Sequence, residues 1–235
     1  MSNLQQQISE NVEEIRARIA EAAGQSGRSA DDVTLVAVTK YVGVDEIRAL
    51  VAAGCAQLGE SRPQQFWQKA EELSDLSVRW HMIGHLQRNK VQRTMPLVAM
   101  IHSIDSRRLL TAVDRAAAEH GLCVPVLLEV NISGEEAKHG FRPEEIEPLL
   151  EELPSLDGVN VQGLMCMAGL GGDTESARAD FAALRRLRER LAVNCPPGVS
   201  LDDLSMGMSG DFDVAIKEGS TMVRVGSALF RGIDR

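Results

Sequence analysis

Hydrophobic residues near the start of the chain recur at helical spacing. Leu4, Ile8, Val12, Ile15 and Ile19 are separated by four, four, three and four positions, which places them on one face of an α-helix. The pattern predicts an amphipathic helix over residues 3–23. Because this helix precedes the first buried strand, we expect residues 1–25 to form an additional N-terminal segment that packs against the main fold.

Beyond residue 32, short apolar runs alternate with amphipathic stretches. The first run, 33–39, is rich in β-branched and aliphatic residues, as is typical of a strand covered on both faces. Further strands are predicted at 55–59, 80–83, 99–104, 124–130, 159–165, 201–205 and 222–225. Helices are predicted at 44–53, 63–73, 86–94, 106–119, 143–152, 174–192 and 211–218, and Pro148 predicts a kink or an early end in the 143–152 helix.

Eight strands alternating with helices predict a single α/β domain over residues 1–235, folded as a (β/α)8 TIM barrel. An open, doubly wound sheet is the alternative fold. Only a short segment follows the eighth strand, so the eighth helix position has no obvious occupant. The N-terminal helix is the candidate to fill that position or to cover the barrel floor.

Charge and composition narrow the classes of partner. The formal net charge of −9 disfavours nucleic acid and anionic membranes, because both attract basic surfaces. No apolar stretch approaches the length of about 20 residues that a membrane span needs, and the N-terminus lacks the features of a signal peptide. We therefore expect a cytoplasmic protein. Its four cysteines form no CxxC pair and lie in or beside apolar stretches, so we expect buried free thiols.

Candidate chemistry lies at the predicted carboxyl ends of the strands, where barrels place their active sites. Lys40 ends the first strand at the edge of a dry interior, and a free lysine amine can form a Schiff base with an aldehyde. The Gly/Ser-rich segments 205–210 and 224–228 follow strands seven and eight, where barrels often bind phosphate. Together these features indicate an aldehyde that carries a phosphate, and pyridoxal 5′-phosphate (PLP) is the leading candidate.

Within the phosphate cradle, Ser209, Gly226 and Ser227 offer hydroxyl and backbone N–H donors. Arg224 lies two residues before Gly226 on the same strand face, so it can reach a cofactor ring. Other strand exits supply further candidates, namely Ser61, His85, Ser103 and Met165.

Plainer interpretations remain open for these residues. Lys40 can be a solvated strand cap, the Gly/Ser segments can be ordinary loops, and Arg224 can be an ion-pair partner. His81 and His85 are four residues apart, but Gly84 lies between them and no HExxH glutamate accompanies them. We therefore expect no metal site.

Eight segments together resemble the pyridoxal phosphate homeostasis proteins, relatives of the barrel domain of alanine racemase. They are LVAVTKY (35–41), LGESRPQ (58–64), WHMIGHLQRNK (80–90), IHSID (101–105), LEVNISGEEAKHGF (128–141), GLMCM (163–167), LSMGMSGDF (204–212) and GSTMVRVGSALFRG (219–232). They cover the chain from about residue 30 to its end. The resemblance implies a barrel of the alanine racemase N-terminal type.

The resemblance also implies roles for individual residues. Lys40 would carry PLP as a Schiff base, and Ser209, Gly226 and Ser227 would hold its phosphate. Arg224 would face the pyridine nitrogen and keep it unprotonated, which weakens the ring as an electron sink. The family usually has asparagine where this chain has Ser61, so a hydrogen bond beside the cofactor is in question there.

The function implied is storage and delivery of PLP by a monomer, with apo PLP-dependent enzymes as recipients and no robust catalysis. Racemisation needs a base on each face of the substrate, and the racemases take one from a tyrosine in a second domain that we do not expect here. Tyr41, the only tyrosine, would point away from Lys40 if the strand stays extended. The alternatives are a weak PLP-dependent amino-acid racemase, with His85 or Cys166 as second base, and a lysine Schiff-base aldolase without pyridoxal.

Overall fold

The computed structural model describes residues 2–135, 138–169, 173–197 and 199–233. Eight parallel strands pair in sequence order, and the sheet closes because the last strand pairs with the first. The strands are β1 (Thr34–Val38), β2 (Gln57–Glu60), β3 (Arg79–Met82), β4 (Met100–Ile104), β5 (Val124–Glu129), β6 (Val159–Met165), β7 (Asp203–Met208) and β8 (Met222–Val225). The predicted (β/α)8 barrel is confirmed, and the open-sheet alternative is wrong.

Helices surround the barrel. They are α1 (Asn3–Gln25), α2 (Val44–Ala52), α3 (Pro63–Glu72), α4 (Val91–Thr94), α5 (Arg107–Glu119), α6 (Pro143–Leu150), α7 (Thr174–Ala192) and α8 (Phe212–Lys217). The helix predicted at 86–94 is mostly wrong, because residues 86–87 are loop and a 3₁₀ turn (Arg88–Lys90) precedes the single turn of α4. The early end predicted for the helix that contains Pro148 is confirmed, since α6 stops at Leu150.

Helix α1 occupies the eighth helix position of the barrel. Within the described residues, strand β8 is followed by a 3₁₀ turn (Ser227–Phe230), and α1 packs against α2, α8 and this turn. The amide of Asn11 donates hydrogen bonds to the carbonyls of Leu229 and Arg231, at 3.1 and 3.0 Å. The predicted apolar face is buried from Ile8 to Ile19, with Leu4 half-buried at its start, so hydrophobic burial fixes the N-terminal helix over the gap.

The apolar interior of the barrel is separate from the larger core between strands and helices. Met100, Leu127, Met165 and Met222 form this inner cluster, and all four side chains are at most 8% exposed. Residues alternate between the two faces of each strand. Residues two positions further along the same strands therefore also point inward, one layer closer to the mouth of the barrel.

Substitution of Gly163 is expected to destabilise the barrel. A Cβ at Gly163 in β6 would lie 1.9 Å from the carbonyl oxygen of Asp203 in β7, so the two strands would have to separate. We expect Gly163→Ala to lower the free energy of unfolding by about 3 kcal/mol in urea denaturation. Gly24→Ala is the control, because no heavy atom lies within 4 Å of a Cβ there; equal losses in the two variants would contradict the prediction.

All four cysteines are free. Cys55 and Cys166 are buried and Cys195 is half-buried, whereas Cys123 is exposed. The expectation of buried thiols is therefore wrong for Cys123, which lies in the connection between α5 and β5. Among the residues described, no helix combines the length and apolar character that crossing a bilayer requires.

Candidate functional site

A cavity of about 440 Å³ opens at the carboxyl ends of the strands. Most of the residues predicted from the sequence line it together, namely Lys40, Ser61, His85, Ser209, Arg224, Gly226 and Ser227. These residues come from the ends of β1, β2, β3, β7 and β8. Residues far apart in sequence therefore meet because a closed parallel barrel brings all strand exits to one face.

Lys40 lies just beyond the end of β1, where the chain turns. Strand β1 stops at Val38, and the N–H of Val42 donates to the carbonyl of Thr39 at 3.2 Å. The amine of Lys40 lies 4.9 Å from the centroid of the Tyr41 ring. The two side chains were expected to point to opposite faces only if the strand stayed extended; the strand ends before Lys40, so that condition is not met, and both residues line the cavity.

A buried ion pair anchors the backbone on both sides of this turn. The amine of Lys69 on α3 donates to the Glu60 carboxylate and to the carbonyl of Thr39, each at 2.7 Å. The other carboxylate oxygen of Glu60 accepts from the N–H of Ser61 at 2.8 Å. The residue before Lys40 and the cavity residue Ser61 are therefore held by one buried cluster.

The loops after β7 and β8 converge on one hydroxyl. The Oγ atom of Ser209 accepts from the N–H groups of Gly226 and Ala228, at 3.1 and 3.4 Å. A Cβ at Gly226 would lie 3.3 Å from the Cβ of Val38, and one at Gly210 would meet open space. The segment after β8 thus directs two backbone donors at a single oxygen from the loop after β7, and converging N–H groups of this kind are what grips a phosphate.

Arg224 is a buried cation in the cavity wall. It is 4% exposed, and its guanidinium donates to Oγ of Ser205 at 2.6 Å and to the carbonyl of Cys166 at 2.9 Å. Burial lowers the pKa of Arg224 from its ordinary value, but a guanidinium starts high enough to stay charged. The wall of the cavity therefore carries a permanent positive charge, which attracts an anionic or basic atom of a ligand.

Glu129 also lines the cavity, at the end of β5. Desolvation, reinforced by the charge of Asp105, raises the pKa of the Glu129 carboxyl to about 7. Glu129 is not among the residues predicted from the sequence, although a charged residue near the end of an otherwise apolar strand was a usable signal. The cavity thus contains an acid whose charge changes near neutral pH.

Glu129 is expected to make stability fall as the pH rises. In the folded protein the pKa of the Glu129 carboxyl is about 7, above its ordinary value of 4.5. The stabilisation that comes from keeping this carboxyl protonated is therefore complete below pH 4.5 and is lost as the pH rises through 7. Glu129→Gln removes this dependence. We expect its unfolding free energy relative to wild type to rise by about 3 kcal/mol between pH 4 and 8.

Urea denaturation of both proteins at several pH values measures this difference. Glu13→Gln, at an exposed position of α1, is the control and should track wild type throughout. A wild-type-minus-variant difference that stays constant from pH 4 to 8 would show that Glu129 is ionised normally.

His85 and His139 stand side by side at the cavity. Their rings are stacked with centroids 4.4 Å apart, and Nδ1 of His85 lies 2.8 Å from the Asp105 carboxylate. The three side chains bring metal-ligating atoms within 4.8 Å of one another. His81 is elsewhere, bonded to His102 inside the barrel, so the sequence pair His81 and His85 does not converge.

Two predicted site residues do not line the cavity. Ser103 points away from the interior, since its strand neighbour His102 points inward, and its hydroxyl donates to the carbonyl of Gly84 at 2.6 Å. Met165 points inward but belongs to the apolar layer beneath the cavity, and Met167, two residues on, lines it instead.

The chain is similar to known proteins along almost its whole length. The family model for the alanine racemase N-terminal domain matches residues 5–233. A pyridoxal phosphate homeostasis protein of Aquifex aeolicus is 40% identical over 221 residues, which cover 94% of this chain and 96% of the relative.

The fold is also similar to that of solved structures. PipY of Synechococcus elongatus PCC7942, determined with PLP bound, aligns with a TM-score of 0.80 and 36% identity over 90% of this chain and 99% of PipY. An alanine racemase of Clostridium difficile aligns with a TM-score of 0.73 but only 15% identity, over 96% of this chain and 56% of the racemase. The second likeness concerns the fold alone.

Proposed function

Because the chain belongs to the alanine racemase N-terminal domain family, we propose that it binds pyridoxal 5′-phosphate and stores and delivers that cofactor within the cell. The relative from Aquifex aeolicus is named for PLP homeostasis, and PipY has been determined with PLP bound. The observation that carries the proposal is one cavity lined jointly by Lys40, Arg224 and the Ser209–Gly226–Ser227 cradle.

The residues present fit PLP. The cofactor supplies an aldehyde that condenses with an amine, and a pyridine ring that withdraws electrons. Lys40 offers the amine, and the loops that meet at Ser209 offer donors for the phosphate. Arg224 offers a permanent cation rather than an acid to the ring nitrogen, which favours holding the cofactor over using it as an electron sink.

The cavity also supports a carrier rather than an efficient racemase. A racemase needs two bases that face opposite sides of one substrate. Cys166 cannot serve, because it is fully buried and burial raises the pKa of its thiol to about 12. Nδ1 of His85 is paired with Asp105, so Nε2 is the only atom of this ring that is left to act as a base. Recipients of the cofactor would be apo PLP-dependent enzymes that compete for the same aldehyde.

The mouth of the cavity suits release. Lys40 is half-buried and Tyr41 is 63% exposed, so an incoming amine has access to the atom that would hold PLP. Tyr41 and His85 share the cavity with Lys40, and this proximity favours weak amino-acid racemisation as the second candidate function. Racemase turnover that survives removal of contaminating enzymes and disappears in Lys40→Ala would support that second function.

Visible absorption of the purified protein, before and after borohydride, tests the proposal. We expect a yellow protein, or one that can be loaded with PLP, and a reduced adduct that maps to the peptide containing Lys40. Mixing the loaded protein with an apo-enzyme and an aldehyde-trapping amine then measures delivery. A colourless protein that cannot be loaded overturns the proposal, and one that instead reacts with a phosphorylated sugar supports a Schiff-base aldolase.

A further inference from the structure

A chain of hydrogen-bonded side chains runs through the interior of the barrel and ends at Arg224. Nε2 of His81 lies 2.8 Å from Oε1 of Gln57, and Nδ1 of His81 lies 2.8 Å from Nε2 of His102. Nδ1 of His102 lies 2.8 Å from Oγ of Ser205, which accepts from Arg224 at 2.6 Å. We call Gln57, His81, His102 and Ser205 the barrel relay; they come from β2, β3, β4 and β7.

The groups at the two ends of this chain of hydrogen bonds, Gln57 and Arg224, determine which atom donates in each of them. Arg224 can only donate, so Ser205 accepts from it and is left to donate its own proton to Nδ1 of His102. His102 then donates from Nε2 to His81, and His81 donates from Nε2 to the Gln57 carbonyl oxygen. Each imidazole needs only one proton for this arrangement, so both are neutral.

Burial supports neutral imidazoles in the relay. His102 is fully buried and His81 is 3% exposed. Desolvation, with the charge of Arg79 adding to it, lowers the pKa of His81 to about 4. Desolvation also lowers the pKa of His102 well below its ordinary value, helped by His81 and Arg224. Arg224 is therefore the cation at the end of an uncharged, directional chain.

The far end of the relay lies at the opposite face of the barrel. Gln57 is the first residue of β2 and lines a second cavity, of about 460 Å³, that is bordered by α1 and by the amino-terminal ends of β1 and β2. Four hydrogen bonds separate Gln57 from Arg224. A group that never approaches the cofactor cavity is thus coupled to its buried cation.

We propose that the barrel relay is a positioning device, in which Gln57, His81 and His102 fix the rotation of the Ser205 hydroxyl and thereby the guanidinium of Arg224 against the cofactor ring. This inference rests on the proposed function. Without an acceptor at Gln57, His81 and then His102 can adopt the other tautomer, and Nδ1 of His102 then donates to Ser205 instead of accepting from it. Oγ of Ser205 then has to accept from both His102 and Arg224, so the hydroxyl turns and the guanidinium shifts from the orientation that its bonds to Ser205 and to the carbonyl of Cys166 fix.

The alternative is that the relay only satisfies polar groups buried in the barrel, as every buried polar group requires. That role would affect stability but not the cofactor. Substitution at the remote end separates the two, because Gln57 is only half-buried and does not line the cofactor cavity. The readout is therefore the bound cofactor and not the fold.

Three changes at one position make the test. Gln57→Leu removes the acceptor for His81, and Gln57→Asn withdraws it by one methylene while keeping the polarity. Gln57→Glu keeps an acceptor at the same reach and is the rescue variant. Thr34→Val is the matched control, because Thr34 lines the same second cavity but lies outside the relay.

The measurements are the PLP dissociation constant from absorbance titration and the pH at which the bound visible band changes. We expect Gln57→Leu and Gln57→Asn to weaken PLP binding about tenfold and to move that pH, as loss of one link in a buried network does. Gln57→Glu and Thr34→Val should bind within about twofold of wild type.

The outcomes separate this inference from the proposed function. Wild type that cannot be loaded with PLP refutes the proposed function itself. Wild type that binds PLP, with unchanged affinity and spectrum in Gln57→Leu and Gln57→Asn, overturns the relay alone. If Gln57→Leu does not fold, the conservative Gln57→Asn decides the matter by the same two readouts.

Discussion

Replacing Lys40 with alanine is expected to abolish covalent retention of PLP. The amine of Lys40 is the one that the cavity offers to an aldehyde from the end of β1, and without it only the phosphate cradle and Arg224 remain. We expect the dissociation constant to rise at least about 100-fold, a loss of roughly 3 kcal/mol. Borohydride treatment should no longer fix any cofactor to the peptide that contains residue 40.

Two variants make the Lys40 result specific. Lys40→Arg keeps a cation near the phosphate but cannot form a Schiff base, so it should lose the adduct while retaining weak binding. Lys217→Ala removes an exposed lysine at the end of α8 and should behave as wild type. An adduct that persists in Lys40→Ala would place the Schiff base on another lysine and refute the assignment.

The sequence predicted the fold well where the apolar pattern is long and regular. Helix α7 and strand β6 have the predicted bounds, 174–192 and 159–165, because their hydrophobic spacing repeats over several turns or alternations. Residues 86–94 lack such a repeat. There the chain takes a 3₁₀ turn and one helical turn, as contacts with neighbouring elements decide the local structure of short segments.

The sequence predicted which strand ends line the cavity, but not how deep in the barrel each side chain lies. Knowing that barrels use the carboxyl ends of their strands was enough to select Lys40 and Arg224 as cavity residues. It did not distinguish Met165 from Met167, since both lie on the inward face and differ by one layer. That distinction depends on the stagger of neighbouring strands, which the spacing within one strand does not encode.

The hydrogen-bonded polar side chains inside the barrel were not predicted from the sequence. His81 and His102 each interrupt an apolar strand, which was a sign that they bond to something buried. Their partners lie on other strands, and the bond from His102 on β4 to Ser205 on β7 crosses the interior of the closed barrel, so no local pattern names them. The order and pairing of the strands decide which distant side chains meet in such a network. Hydrophobic periodicity indicates only which face of a strand or helix is buried.

Lys69 gives the second large expected effect. Its salt bridge to Glu60 is buried, with side-chain exposures of 11% and 0%, so Lys69→Met leaves an uncompensated carboxylate inside the protein. We expect the free energy of unfolding to fall by about 3–5 kcal/mol. The variant should also bind PLP less tightly, because Lys69 holds the carbonyl of Thr39 directly before Lys40.

Urea denaturation and PLP titration of a small set of variants check this expectation. Lys69→Met combined with Glu60→Leu removes both charges and should recover much of the stability. It should not recover PLP affinity, because the carbonyl of Thr39 still lacks the Lys69 amine and the N–H of Ser61 lacks the Glu60 carboxylate.

Arg48→Met is the matched control for an ion pair at the surface. Arg48 and Asp75 are also paired at 2.7 Å, but their side chains are 41% and 59% exposed, and pairs at the surface contribute little. Stability losses of similar size in Arg48→Met and Lys69→Met would contradict the role of burial. PLP affinity that follows stability alone across the set would show that the Lys69–Glu60 pair supports the barrel generally, without positioning the turn that carries Lys40.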